Sequence, residues 1–400
     1  MRFSLIILFL FVGWIYFGPI QVATAEVFTI APTPAPTTDS LITKQANLLP
    51  MDQVEKYWSD LTTDYGSYFA DNQPPSFMEL LVPKGKGLHP SNILKGLLNF
   101  FFREVLLNGK LLATIVILTV FSMILETLQS SFEKSTVSKV AYAVTYMVLI
   151  VLAMNSLNIA LGYAKEAISG MIHFMIAIVP LLLTLLASTG NLTSAAIFHP
   201  LIVFMIHTIG TAIYLIIFPL LFFSTLLHVI STISERYKVT QLANLMRSVA
   251  VGLLGFFVTV FLGVMSVQGA SGAITDGVTI RTAKFVTGNF VPVVGRMFSD
   301  ASETVVGASL LVKNAVGITG VVILVLLCAF PAIKILVLAL IFKVSAAILQ
   351  PMGDSPIIQC LQTIGKNMIY VFAALAAVGF MFFLAITIII TAGNISVMMR

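Results

Sequence analysis

Amines and carboxylates are costly at membrane depth, and a chain that keeps them there uses them to bind, pair or conduct. Lys343 is such a group. It falls near the middle of KILVLALIFKVSAAILQ, residues 334–350. Its amine can line a water-filled path or meet a carboxylate. On a short, tilted segment it can instead reach the surface along its own stem. The stretch VQGASGAITDGVTIRTAKFVTGNFVPVVGRMF, residues 267–298, gathers Asp276, Arg281, Lys284 and Arg296 with five glycines and Pro292. It is too polar to span a bilayer, yet apolar runs flank it. Asp276, Arg281, Lys284, Gly288 and Pro292 therefore join Lys343 as candidate pathway or interface residues.

Within that stretch Ile274, Val278 and Phe285 fall near one helical face, and Arg281 and Lys284 near another. Gly269, Gly272 and Gly277 allow close backbone approach, as small residues do between membrane helices. Asp300 and Glu303 have the spacing of a capping box at the start of a second segment. Two weakly amphipathic segments joined at a Gly/Pro turn predict a re-entrant or in-plane hairpin. A surface loop with amphipathic helices is the plainer alternative.

Other chemistries find no support. Gly365-Lys366-Asn367 lacks the hydroxyl and the upstream glycine of a phosphate-binding loop. There is no HExxH and no paired-cysteine cluster, so no catalytic residue, cofactor or metal is predicted and the chain reads as a non-enzyme. His173, His199, His207 and His228 fall in or near apolar runs without a neighbouring acid, which predicts neutral rings hydrogen-bonded between helices. Glu126 closes the first apolar run, where its carboxylate can reach the interface.

The elements that hold these residues follow from composition. Of 400 residues 58% are hydrophobic and 10% charged, against about 25% charged in soluble domains. Several apolar runs reach the roughly 20 residues that cross a hydrocarbon core as a helix. The class is all-α polytopic membrane protein, with about seven to nine transmembrane helices. The net charge of +5 comes from scattered Lys and Arg with no basic stripe, which argues against a nucleic-acid partner. The two cysteines form no disulfide framework.

Residues 1–25 read as a signal peptide, with Arg2, an apolar core from Leu5 to Phe17 and Ala23-Thr24-Ala25 before Glu26. An uncleaved anchor is the alternative. Residues 26–47 form a Pro/Thr-rich linker. Residues 48–110 form a small extracytoplasmic helical region. In it Tyr57, Leu61, Tyr65 and Tyr68 share a helical face, and Ser91 is a possible N-cap for a second helix. That helix carries Lys95 and Arg103 beside an apolar face, which suits a membrane surface or the core of a tiny soluble domain.

The transmembrane domain, 111–400, divides into spans at 111–128, 140–161, 167–187, 195–213, 214–233, 248–267, 314–333, 335–350 and 368–391. An interfacial or re-entrant element occupies 268–312. Pro180, Pro200, Pro219 and Pro331 lie inside apolar runs and predict kinks or breaks. The uncharged run 195–233 reads as two spans, or as one span plus a half-helix. The basic connections 131–139 and 235–247 are expected in the cytoplasm. Residues 162–166, 267–298 and 351–367 are then outside, and the C-terminus is cytoplasmic.

Long literal stretches carry a resemblance: PSFMELLVPKGKG (75–87), GKLLATIVILTVFSMILETLQ (109–129), STVSKVAYAVTYMV (135–148), DGVTIRTAKFVTGNFVPVVGRMF (276–298) and ITIIITAGNISVM (386–398). On these the chain resembles the stage III sporulation protein AE family of endospore-forming bacteria, from about residue 48 to 400. The resemblance implies a subunit of a secretion-like channel, or feeding tube, between mother cell and forespore. It implies the mother-cell (outer forespore) membrane, with the N-terminal region in the intermembrane space. Its implied partners are the other subunits of the complex, including a cytoplasmic ATPase and ring-forming proteins, with a forespore-made partner met indirectly and the lipid bilayer around it. It brings no catalytic residues. Two rival readings stand beside it: an autonomous secondary transporter, and a structural scaffold for the complex.

Overall fold

The computed structural model describes residues 49–69, 74–81, 90–131, 136–233, 238–290, 294–353 and 355–398, all within one compact unit that spans 38–400. The signal peptide, the linker and the turn at Pro292 lie outside the described residues. The described residues contain helices and no strands. Helices α1 (Asp52–Tyr65), α2 (Phe77–Leu81) and α3 (Pro90–Leu107) make up the N-terminal region. Then come α4 (Gly109–Ser131), α5 (Thr136–Ser188), α6 (Leu192–Ala212), α7 (Phe218–Ile233), α8 (Thr240–Phe290), α9 (Val294–Leu349) and α10 (Pro356–Met398).

The chain is an all-α polytopic membrane protein. Among the described residues six helical segments are long and apolar enough to cross a membrane. Gly109–Thr127 has 19 residues, which matches one bilayer core. Val140–Ser188, Leu192–Thr232, Val306–Leu349 and Pro356–Asn394 have 49, 41, 44 and 39 residues. At 1.5 Å per residue these are about 60–75 Å long, roughly twice the hydrocarbon thickness.

The predicted spans were divided where polarity or proline interrupts the apolar pattern, and the helices run through those points. Residues 140–161 and 167–187 lie on α5, and 314–333 and 335–350 lie on α9. Pro180, Pro200 and Pro331 sit inside helices. Residues 195–213 and 214–233 form one helical path through a π turn, Ile213–Ile217. Pro219 has no N–H to return to the carbonyl of Leu215, and the widened turn just before it takes up that break.

The predicted hairpin at 267–298 is helical on both sides of residues 291–293. Its first arm continues α8 to Phe290 and its second opens α9 at Val294. Asp300 lies within α9 and does not cap its start, and Ser91 lies within α3. Gly269 does serve close packing: a Cβ there would come 2.8 Å from Ile388 of α10.

Cross-helix contacts define two bundle ends. At the proximal end the hydroxyls of Tyr146 (α5) and Thr232 (α7) are 2.7 Å apart. Ser224 of α7 donates to the Ala243 carbonyl of α8 (2.7 Å), and Lys343 of α9 packs on Gly365 of α10. At the distal end Leu186 (α5) and Lys313 (α9) meet Gly393 (α10), while Asp276 (α8) holds the start of α6. Residues 238–239 and 350–353 therefore share the proximal end. The end of α10 falls at the distal end, with Gly393 beside Lys313. The start of α5 lies at the same end as residues 238–239, through Tyr146 and Thr232.

Packing on α9 explains α3. Gly96 and Phe100 are buried, while Leu94, Leu98, Phe102 and Leu106 form an outward apolar stripe at i, i+4 spacing. A Cβ at Gly96 would meet the Tyr68 carbonyl oxygen at 2.6 Å, and a backbone oxygen has little room to yield. Gly96→Ala is expected to cost about 2 kcal/mol, read as a lower thermal midpoint of the detergent-solubilised protein. Single cysteines at Lys238 and Gln350 are expected to label from the same side of the membrane, and one at Thr193 from the other. Labelling of 238 and 350 from opposite sides would contradict the bundle ends.

Candidate functional site

The polar residues of the bundle gather in two places. The first is midway along α5 and α9, where the N-terminal region seats. Helix α1 buries Val54, Trp58 and Leu61. Its Tyr57 meets Phe174 of α5 edge-on at 5.4 Å. Its Tyr65 stacks on Phe330 of α9 at 3.9 Å with the rings nearly parallel, and Phe100 of α3 closes on both rings at 5.6 and 5.1 Å. Trp58 donates its indole N–H to the Pro75 carbonyl (2.9 Å), which ties α1 to the chain entering α2. Offset and edge contacts of this kind each add about 1 kcal/mol beyond the area they bury.

Lys334 follows one helical turn after Phe330. Its Nζ lies 5.0 Å from the ring of Tyr163 and 5.9 Å from that of Tyr65, within cation–π range of both. Asp60, Asp64 and Glu166 line the same cleft of about 550 Å³. Burial, then the nearby carboxylates Asp64, Glu166 and Glu104, push the Tyr65 phenol up to about 12.

The second place is the distal end. Asn191 precedes α6 but gives no side-chain cap. Asp276 reaches across from α8 instead, accepting from the backbone N–H of Thr193 (3.1 Å) and of Ser194 (2.9 Å). A carboxylate suits a helix start because the free N–H groups and the helix dipole both favour an anion. Nearby, Lys313 is fully buried on α9 and donates to the Ile390 carbonyl (2.9 Å) and to Asn394 Oδ1 (3.3 Å) near the end of α10. The absence of a side chain at Gly393 leaves room for its amine. Asn191 Oδ1, Ser194 Oγ and Asn314 Oδ1 are buried without a hydrogen-bond partner.

The predicted site residues do not converge. Asp276 is buried at the distal end. Lys343 is exposed toward the proximal end, its stem against Gly365. Arg281, Lys284 and Gly288 lie on the extension of α8, with side chains outside the described residues, as is Pro292. His228 is hydrogen-bonded between helices, with Nδ1 2.9 Å from the Ser224 carbonyl and Nε2 3.2 Å from Asn244 Oδ1 on α8. Asn244 also accepts from Arg247 at 2.6 Å, and Arg247 lies 5.4 Å from the centre of the Tyr370 ring. His173 bonds within α5, while His199 and His207 are exposed. Lys313 and Lys334 were not singled out from sequence. Both fell at predicted span boundaries, where a lysine is ordinary.

These features define a polytopic helical membrane protein with an N-terminal helical region locked to its bundle by aromatic packing. A model of the family described as stage III sporulation protein AE matches residues 73–393. The stage III sporulation protein AE of Bacillus subtilis (strain 168) is 55% identical over 366 residues, covering 92% of each chain. The chain belongs to the stage III sporulation protein AE family. No solved structure matches it.

The two charged candidates should behave oppositely on substitution. Asp276→Ala removes two charge-assisted bonds at the start of α6 and is expected to destabilise the bundle by about 2 kcal/mol. Lys343→Met, at an exposed stem, should change stability by less than about 0.5 kcal/mol. Thermal unfolding in one detergent compares both with the parent.

Proposed function

We propose that this sporulation protein is the multi-pass subunit of a secretion-like channel between mother cell and forespore, seated in the mother-cell membrane around the forespore. The family match over residues 73–393 carries the reading. The basic connection 235–239 then faces the cytoplasm and the ATPase of the complex. Helices α1–α3 face the intermembrane space, where ring-forming subunits can dock.

The packing bears on where a conduit would run. Ile178 and Leu182 of α5, which meet Gly320 and Gly317 of α9, and Phe382 of α10 are buried within the bundle, each 0% exposed. A core filled this way supports a passage between subunits rather than through this one. It also favours the scaffold reading, in which the bundle only organises its neighbours.

A strain carrying Arg281→Gln, Lys284→Gln and Lys343→Gln separates the two. Under the conduit reading the complex still co-purifies while a late forespore reporter falls at least fivefold. An unchanged reporter supports the scaffold. Full reporter activity in a strain lacking the protein altogether would sink both.

A further inference from the structure

The cleft between α1, α5 and α9 presents opposite charges that do not neutralise one another. Lys334 offers an ammonium held by the faces of Tyr163 and Tyr65. Asp60 and Asp64 on α1 and Glu166 on α5 are exposed at the same cleft. Among the described residues no hydrogen bond or ion pair joins Lys334 to any of the three. Charge-assisted pairs are the strong polar contacts of proteins, so charges of both signs around one cavity without a pair leave both available to a ligand.

The rest of the lining narrows the class. Leu61, Leu326, Leu327 and Pro331 give the cleft an apolar wall. Its volume of about 550 Å³ lies in the range that takes small molecules. A simple cation would gain the carboxylates but face Lys334. A simple anion would gain Lys334 but face three carboxylates. A molecule with an ammonium, a carboxylate and an apolar body answers all three features.

We propose that this cleft binds a small apolar zwitterion of the amino-acid or short-peptide kind. Its carboxylate sits on Lys334, its ammonium among Asp60, Asp64 and Glu166, and its apolar body on the leucine wall. Because the polar groups come from α1, α5 and α9, the ligand clasps the N-terminal region to the bundle. The site needs no particular role for the protein in a channel, so it stands or falls separately from that reading.

The test uses the full chain in lipid nanodiscs and equilibrium binding by calorimetry. The probes are L-leucine and trileucine; isopentylamine and 4-methylpentanoate serve as leucine without its carboxylate and without its ammonium. One zwitterion, or both, is expected to saturate a single site, with each control at least tenfold weaker. Leucine alone binding identifies an amino-acid site, and trileucine alone a peptide site. Lys334→Gln and Asp64→Asn should each weaken binding at least tenfold, while Lys334→Arg, which keeps charge and ring contact, should retain most of it. Lys343→Gln, outside the cleft, should leave it unchanged. Failure of both zwitterions to bind the parent protein overturns the proposal. So do equal binding of either control, undiminished binding by Lys334→Gln, and loss of binding in a folded Lys334→Arg protein.

Discussion

A backbone N–H or C=O in an apolar interior has no water to turn to, and the architecture follows from that constraint. A helix break inside the bundle would strand several such groups at once. The interruptions in this chain are therefore carried inside helices. Pro180, Pro200 and Pro331 are tolerated within α5, α6 and α9, and Pro219 follows a π turn. The same constraint explains Asp276. The start of α6 is a set of unpaired N–H groups at the packed distal end, and a carboxylate from another helix supplies the acceptors that Asn191 does not.

Much of this was legible from local pattern. Tyr57, Leu61 and Tyr65 recur at helical spacing, and that face of α1 meets the bundle. The apolar runs identified the class of protein, and long literal stretches identified its family. Asp276 and Gly269 stood out because polar and small residues are conspicuous in such a sequence.

What was missed depends on partners distant along the chain. A proline followed three residues later by Lys334 looks like the end of a span. It lies well inside α9, where Tyr163 and Tyr65 receive its ammonium. Lys313 looked like an ordinary boundary lysine. Its burial relies on a gap at Gly393, in the last helix, and on Ile390 and Asn394 beside it. Periodicity within a segment carries no information about a seat built from another segment.

The stack of Tyr65 on Phe330 also sets an order of events during synthesis. Helix α1 is made before α9, and the part of its seat at Phe330 lies more than 250 residues after Tyr65. At about 5–20 residues per second the seat follows after roughly 15–50 s. Until then Tyr65 has no Phe330 to stack on. The N-terminal region is thus a latecomer to its own fold, and an interval exists in which chaperones or neighbouring membrane proteins can reach a face that the finished molecule hides.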